Sequence, residues 1–154
     1  MAGEAQIKLA ASATTVISLA ANLTNGNAAG GSAMLDNSTD KYPYALATFA
    51  NLGSFSAAPT EGSVVSLYMV RQDVDGTNDD TSAPSGTDVE SAQFVGAFRL
   101  YDTAEVQRHT IEIDLMGALK ANFYIKNESG VTINAGSGTE CTVKVTPFTL
   151  APAA

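Results

Sequence analysis

At 154 residues the chain fits one domain, and its single cysteine (Cys141) and single histidine (His109) exclude a disulfide framework, a cysteine zinc site and a His-pair metal site. Charged residues make up 16% of it, and 16 acidic against 8 basic side chains leave a net charge of −8. Sequence-independent nucleic-acid binding and attraction to anionic membranes both need the opposite sign.

No stretch approaches the ~20 apolar residues of a membrane span. Residues 8–23 (KLAASATTVISLAANL) have the outline of a signal peptide, but Glu4 precedes them and Ser12, Thr14, Thr15 and Ser18 interrupt the apolar run. The better reading is an Ala-rich arm over residues 1–13 leading into a first strand at 14–19. Asn25-Gly26-Asn27 and Gly30-Gly31 then break the chain. A short strand at 33–35 stops at Asp36-Asn37-Ser38. Residues 42–51 form the next, with Pro43 near its start, where a missing N–H does least harm. Residues 63–70 (SVVSLYMV) are nearly all apolar, as in a strand covered on both faces. Residues 73–91, rich in Asp, Gly, Ser and Thr, read as an exposed loop, and 92–101 as a strand with a bulge at Gly96.

The clearest alternation runs from His109 to Leu115, with Ile111, Ile113 and Leu115 on one face and Thr110, Glu112 and Asp114 on the other. Residues 121–126 repeat it, with Phe123 and Ile125 inward, and residues 141–146 again, with Cys141, Val143 and Val145 inward. Helical candidates amount to single turns at 103–107 and 116–119. About eight short strands point to an all-β, antiparallel β-sandwich, jelly-roll-like in type. An immunoglobulin-like sandwich ranks second, since the chain has no Trp for the Cys…Trp…Cys pattern.

Asp73, Asp75, Asp79 and Asp80, with Asn78, gather oxygens as a calcium ion requires. Gly76 is fourth in that run and no Glu closes it, so the EF-hand register is missing. Asp75-Gly76 is also a common hairpin dipeptide, and a solvated hairpin is the simpler reading. His109 would need a partner such as Asp102 or Glu112 to act as a base, and no G-x-S-x-G elbow accompanies it. Cys141 reads as a small buried hydrophobe. No phosphate-binding glycine run opens a helix, so no cofactor is expected. Tyr124 falls on the outer face of its strand, where it suits either a binding platform or a cross-strand pair.

Four pieces occur in order: Leu35-Asp36-Asn37-Ser38-Thr39-Asp40-Lys41-Tyr42, Asp75-Gly76-Thr77-Asn78, Gln107-Arg108-His109 and Lys126-Asn127-Glu128-Ser129-Gly130. Together they span most of residues 20–148 and resemble small structural proteins of tailed bacteriophage virions, among them head decoration (cement) proteins with jelly-roll folds. Asp79 stands where that pattern has an aromatic residue. The resemblance implies a non-enzymatic protein on the outer surface of the capsid. Such a protein binds the major capsid protein, ties neighbouring subunits together and acts as a homotrimer. The resemblance also leaves room for a head-fibre or tail-associated receptor- or glycan-binding module, and it carries over no catalytic residue. In that setting an arm at 1–13 and a tail at 149–154 flank a domain at 14–148, and both ends lie against a neighbouring subunit. Ala5, Ile7, Leu9, Phe148 and Leu150 are the expected contact residues, and neither nucleic acid nor membrane is an expected partner.

Overall fold

The structure, a computed structural model, describes residues 5–10, 12–72, 84–89, 92–136 and 140–152. Period-two alternation yields strands throughout, and no helix occurs among the described residues. The first sheet contains β1 (Ala5–Leu9), β2 (Thr14–Ser18), β5 (Tyr44–Asn51), β8 (Gln107–Asp114) and β10 (Cys141–Pro152). The second contains β3 (Ala28–Gly30), β4 (Leu35–Asp36), β6 (Val64–Arg71), β7 (Gln93–Arg99) and β9 (Lys120–Glu128).

The pairings are antiparallel and nested: β2 with β10, β3 and β4 with β9, β5 with β8, β6 with β7. The chain is therefore one long hairpin whose two halves run back along each other, with its tip at the β6–β7 connection. Two further pairings, β10 with β5 and β9 with β6, roll that hairpin into two packed sheets. This is the strand order of a jelly roll, and it makes the protein the antiparallel sandwich its alternation predicts.

One core cluster fills the space between the sheets. Ala45, Ala47 and Phe49 of β5 and Cys141, Val143 and Val145 of β10 enter it from the first sheet; Val65, Leu67 and Met69 of β6 and Phe123 and Ile125 of β9 enter from the second. Phe49 stacks on Phe98 of β7 across the gap, ring centroids 5.5 Å apart. Each fully buried side chain of this size contributes roughly 1.5–3 kcal/mol. In β2 a bulge leaves Val16 as the extra residue between Thr15 and Ile17, so two sequence neighbours, Val16 and Ile17, are both buried. The register of β7 shifts between Gly96 and Phe94, beside the glycine where a bulge was expected.

Four buried amide side chains fasten the connections, Asn51 with one bond to the Ser54 carbonyl and the other three with several each. Asn127 donates to the carbonyls of Leu23 (2.8 Å) and Val131 (2.7 Å) and accepts from the N–H and hydroxyl of Ser129, tying two loops more than 100 positions apart. Asn37 bonds both the N–H and C=O of Tyr42 and the carbonyl of Ala118. Gln107 donates to the carbonyls of Tyr101 and Thr103 and accepts from the Tyr101 N–H. A weakly charged chain thus holds its loops with neutral hydrogen bonds.

The structure departs from the sequence reading at short elements. Residues 103–107 and 116–119 are bends and turns rather than helical turns, because Gln107 already begins β8 and Ala118 N–H bonds back to Leu115 O in a tight turn. The glycine break at 30–31 contains part of β3, and the loop assigned to 73–91 is not wholly exposed: Pro84 is buried and Gly86 bridges to Ala28 at the edge of β3.

Two stability measurements check this account. Replacing Asn127 by Ala strands several buried partners and should lower the unfolding free energy by about 3 kcal/mol in a urea titration. At Gly30 an added Cβ would collide with the Phe123 carbonyl oxygen and sit 2.7 Å from Tyr124 Cα, whereas at Gly26 (φ +83°) it would meet open space. Gly30→Ala should therefore cost about 3 kcal/mol, and Gly26→Ala only about 1 kcal/mol of left-handed backbone strain.

Candidate functional site

The two ends of the first sheet differ. At one end β5 finishes with Tyr44 opposite Phe148, while β1 pairs onward with β10 from Phe148 to Pro152. Residues 149–152 thus have β1 on one side and, among the described residues, no strand on the other. A two-stranded ribbon overhangs the sandwich, fastened at its root by the Ala10 N–H to the Pro147 carbonyl (2.8 Å).

Within the chain, β1 and the last five residues of β10 pair with each other, because their backbone groups find ladder partners there. Phe148 is 2% exposed within the chain, flanked by its cross-strand partner Leu9 and by Tyr44, whose ring centroid lies 5.7 Å away. Leu9 (49%) and Leu150 (55%) are exposed, and Ala5 and Ile7 lie on β1 opposite Pro152 and Leu150. Asp73, Asp75, Asp79 and Asp80 lie outside the described residues. Among the described residues no group of three His, Cys, Asp or Glu is placed to hold a metal ion.

At the other end, the outer face of the first sheet carries hydroxyl groups and cations. Register places Ser18, Thr142, Ala50 and Arg108 side by side across four strands, and Thr15, Lys144, Thr48 and Thr110 in the next row. Thr48 and Thr110 share a hydroxyl–hydroxyl bond of 2.9 Å. Small side chains at the centre and longer ones around them leave a shallow depression of about 380 Å3, with Leu52 as its apolar wall. Arg108 and Lys144 border it, and neither has an ion-pair partner among the described residues. Single-strand patterning shows that Lys144 and Thr142 face outward; it does not show that Arg108 stands two strands away, so this cluster escapes a reading by strand.

Arg108 also borders a second depression of about 390 Å3 along the β7–β8 edge, shared with Arg99, Tyr101 and His109. Tyr101 is 65% exposed and its ring is tilted over His109, centroids 5.1 Å apart. His109 Nε2 lies 2.9 Å from Gln107 Oε1. The Gln107 amide nitrogen is committed to two carbonyls, so its oxygen faces His109, and the imidazole must donate from Nε2. The partners considered from sequence, Asp102 and Glu112, make no such bond to His109 among the described residues. Burial holds the His109 pKa below its ordinary 6.5. Burial likewise pushes the Cys141 thiol up to about 12, as befits an inward-facing residue with no exposed thiolate.

On the second sheet, Tyr124 is almost buried and stands opposite Tyr68, which stands opposite Phe94 in an edge-to-face contact of 5.7 Å. The Tyr124 ring is thus spent in a cross-strand row and is not a free platform.

A pH series tests the His109 environment. Its folded pKa is depressed, so the unfolded chain takes up the proton first and stability rises with pH through this window. Urea midpoints should be level above about pH 7.5 and fall as the pH drops through 6.5, until the folded imidazole is also protonated. In His109→Phe that component should vanish.

No protein-family model matches the chain, and no curated protein or solved structure matches it significantly.

Proposed function

We propose that the chain is a non-enzymatic structural protein of a tailed-phage virion, most specifically a capsid decoration protein. In this reading it binds the outer shell, ties adjacent major capsid subunits together and works as a homotrimer. The supporting observation is the overhanging ribbon, with Leu9 and Leu150 exposed on a two-stranded extension. Such a ribbon is marginal by itself and gains from a neighbour. Its edges offer backbone donors and acceptors for strand addition, and its leucines offer apolar surface. The role asked of the sandwich is static: a stiff block carries the ribbon to a junction between subunits. Patches of about 800 Å2 or less per side suffice when three act together, because linked weak contacts gain from high effective concentration. Three chains of −8 each repel one another, so the trimer should tighten as moderate salt screens the charge.

Cryo-EM of the source particle, with sedimentation velocity of the isolated chain, tests this. The domain should stud the shell in hundreds of copies with the ribbon at a subunit junction. The isolated chain should sediment as a trimer that strengthens with salt, and Leu9→Asp with Leu150→Asp should release it from the shell. A shell bare of the domain, or a monomer at every salt concentration, overturns the reading.

A further inference from the structure

The ribbon leaves the opposite end of the first sheet unexplained. There a chain of −8 brings Arg108 and Lys144 together over a floor of small hydroxyl-bearing residues, with no acidic partner among the described residues. We propose that this depression binds an acidic saccharide, a sugar carrying a carboxylate or a sulfate, with the acid group held between Arg108 and Lys144.

Three features carry the assignment. The first is spacing. Arg108 on β8 and Lys144 on β10 are separated by β5, two strand spacings or about 10 Å, and by one same-face row. Two long cationic side chains at that separation close on a single anionic group, whereas Ala50 and Thr48 between them leave room for it. Guanidinium supplies a planar fork and ammonium a compact charge, and an oxyanion accepts from both.

The second is the hydrogen-bonding character of the floor. Thr15, Ser18, Thr48 and Thr142 present hydroxyls, each a donor and an acceptor, as sugar hydroxyls are. At the centre of the floor, β10 and β5 have ladder partners on both sides, so a peptide cannot insert there by strand addition. Leu52 and Ala50 are the only apolar residues of this lining, and neither is large enough to form a deep hydrophobic anchor site. What remains is side-chain recognition of a polar, hydroxylated, anionic group.

The third is continuity. Arg108 also borders the neighbouring depression, where the exposed Tyr101 ring and Arg99 extend the same chemistry along the β7–β8 edge. A saccharide of several rings can run from Lys144 past Arg108 to the flat face of Tyr101. The net charge of −8 favours short ligands with a few acid groups over long polyanions. The site stands apart from the shell-binding reading, since it lies at the other end of the sheet and holds whether or not the chain sits on a capsid.

The test titrates the full chain with four probes at low and physiological salt, by calorimetry and by amide NMR. They are a galacturonate hexamer for carboxylate, a heparin hexasaccharide for sulfate, maltohexaose as the neutral sugar, and hexaglutamate as the acidic peptide. One or both acidic sugars should bind and shift the Thr48, Ala50 and Thr142 resonances, and the tighter of the two identifies the acid group. Maltohexaose should not bind. R108A combined with K144A should weaken the acidic sugar at least ten-fold, and K126A, on the other sheet, should leave it unchanged. Unchanged thermal melting of each variant separates loss of the site from loss of the fold. The proposal is overturned if neither acidic sugar shifts those resonances, if the double variant binds as the parent does, if maltohexaose binds equally well, or if hexaglutamate binds as tightly as the sugars. The last result would assign the face to a protein partner.

Discussion

Backbone hydrogen bonding along β10 sets the register of three other strands at once. One edge serves β2 and then β1, and the other serves β5, which in turn places β8. Both distinctive surfaces follow from this arrangement. β10 has 12 residues and β5 has 8, so the surplus pairs with β1 alone and becomes the overhanging ribbon. At the opposite end the same register carries Lys144 into a row beside Arg108, with Thr48 and Ala50 between them. A one-residue slip would turn Lys144 and the threonines inward and Val143 and Val145 outward, at the cost of the core.

Rigidity in this molecule comes from apolar packing and neutral amides rather than from charge. Asn37, Gln107 and Asn127 each satisfy several backbone groups in a connection that would otherwise bury them unpaired. Three of the four ordered sequence pieces, 35–42, 107–109 and 126–130, contain one of these residues, so those pieces are loop fasteners. They report how the turns are built, which is why a resemblance resting on them speaks to architecture more directly than to partners. Screening by salt has little effect on such bonds.

The two ends of the first sheet carry different chemistry. Exposed leucines, and strand edges with no partner among the described residues, are the basis for proposing a protein neighbour at the ribbon. Hydroxyls and cations over the doubly paired strands β10 and β5 are the basis for proposing a small polar anion at the other end. The strands of the sandwich separate these two surfaces, so the two proposed contacts do not compete for the same residues.

Strand alternation was legible in the sequence because it is local: Ile111, Ile113 and Leu115, or Cys141, Val143 and Val145, declare a face without reference to any partner. The sandwich class followed from the number and spacing of such runs, and the inward position of Cys141 from its threonine neighbours. Tertiary structure alone decided which strands pair, because register depends on contacts across the whole chain. It recruited β1 and β3, too short or too alanine- and glycine-rich to signal themselves, through edges that other strands provided. It also buried Phe148 beneath neighbours that sequence could not identify, aimed Gln107 at His109, and assembled Arg108 and Lys144, 36 positions apart, on one surface. Periodicity tells a side chain which way to point, and only the partner strand tells it what it will stand beside.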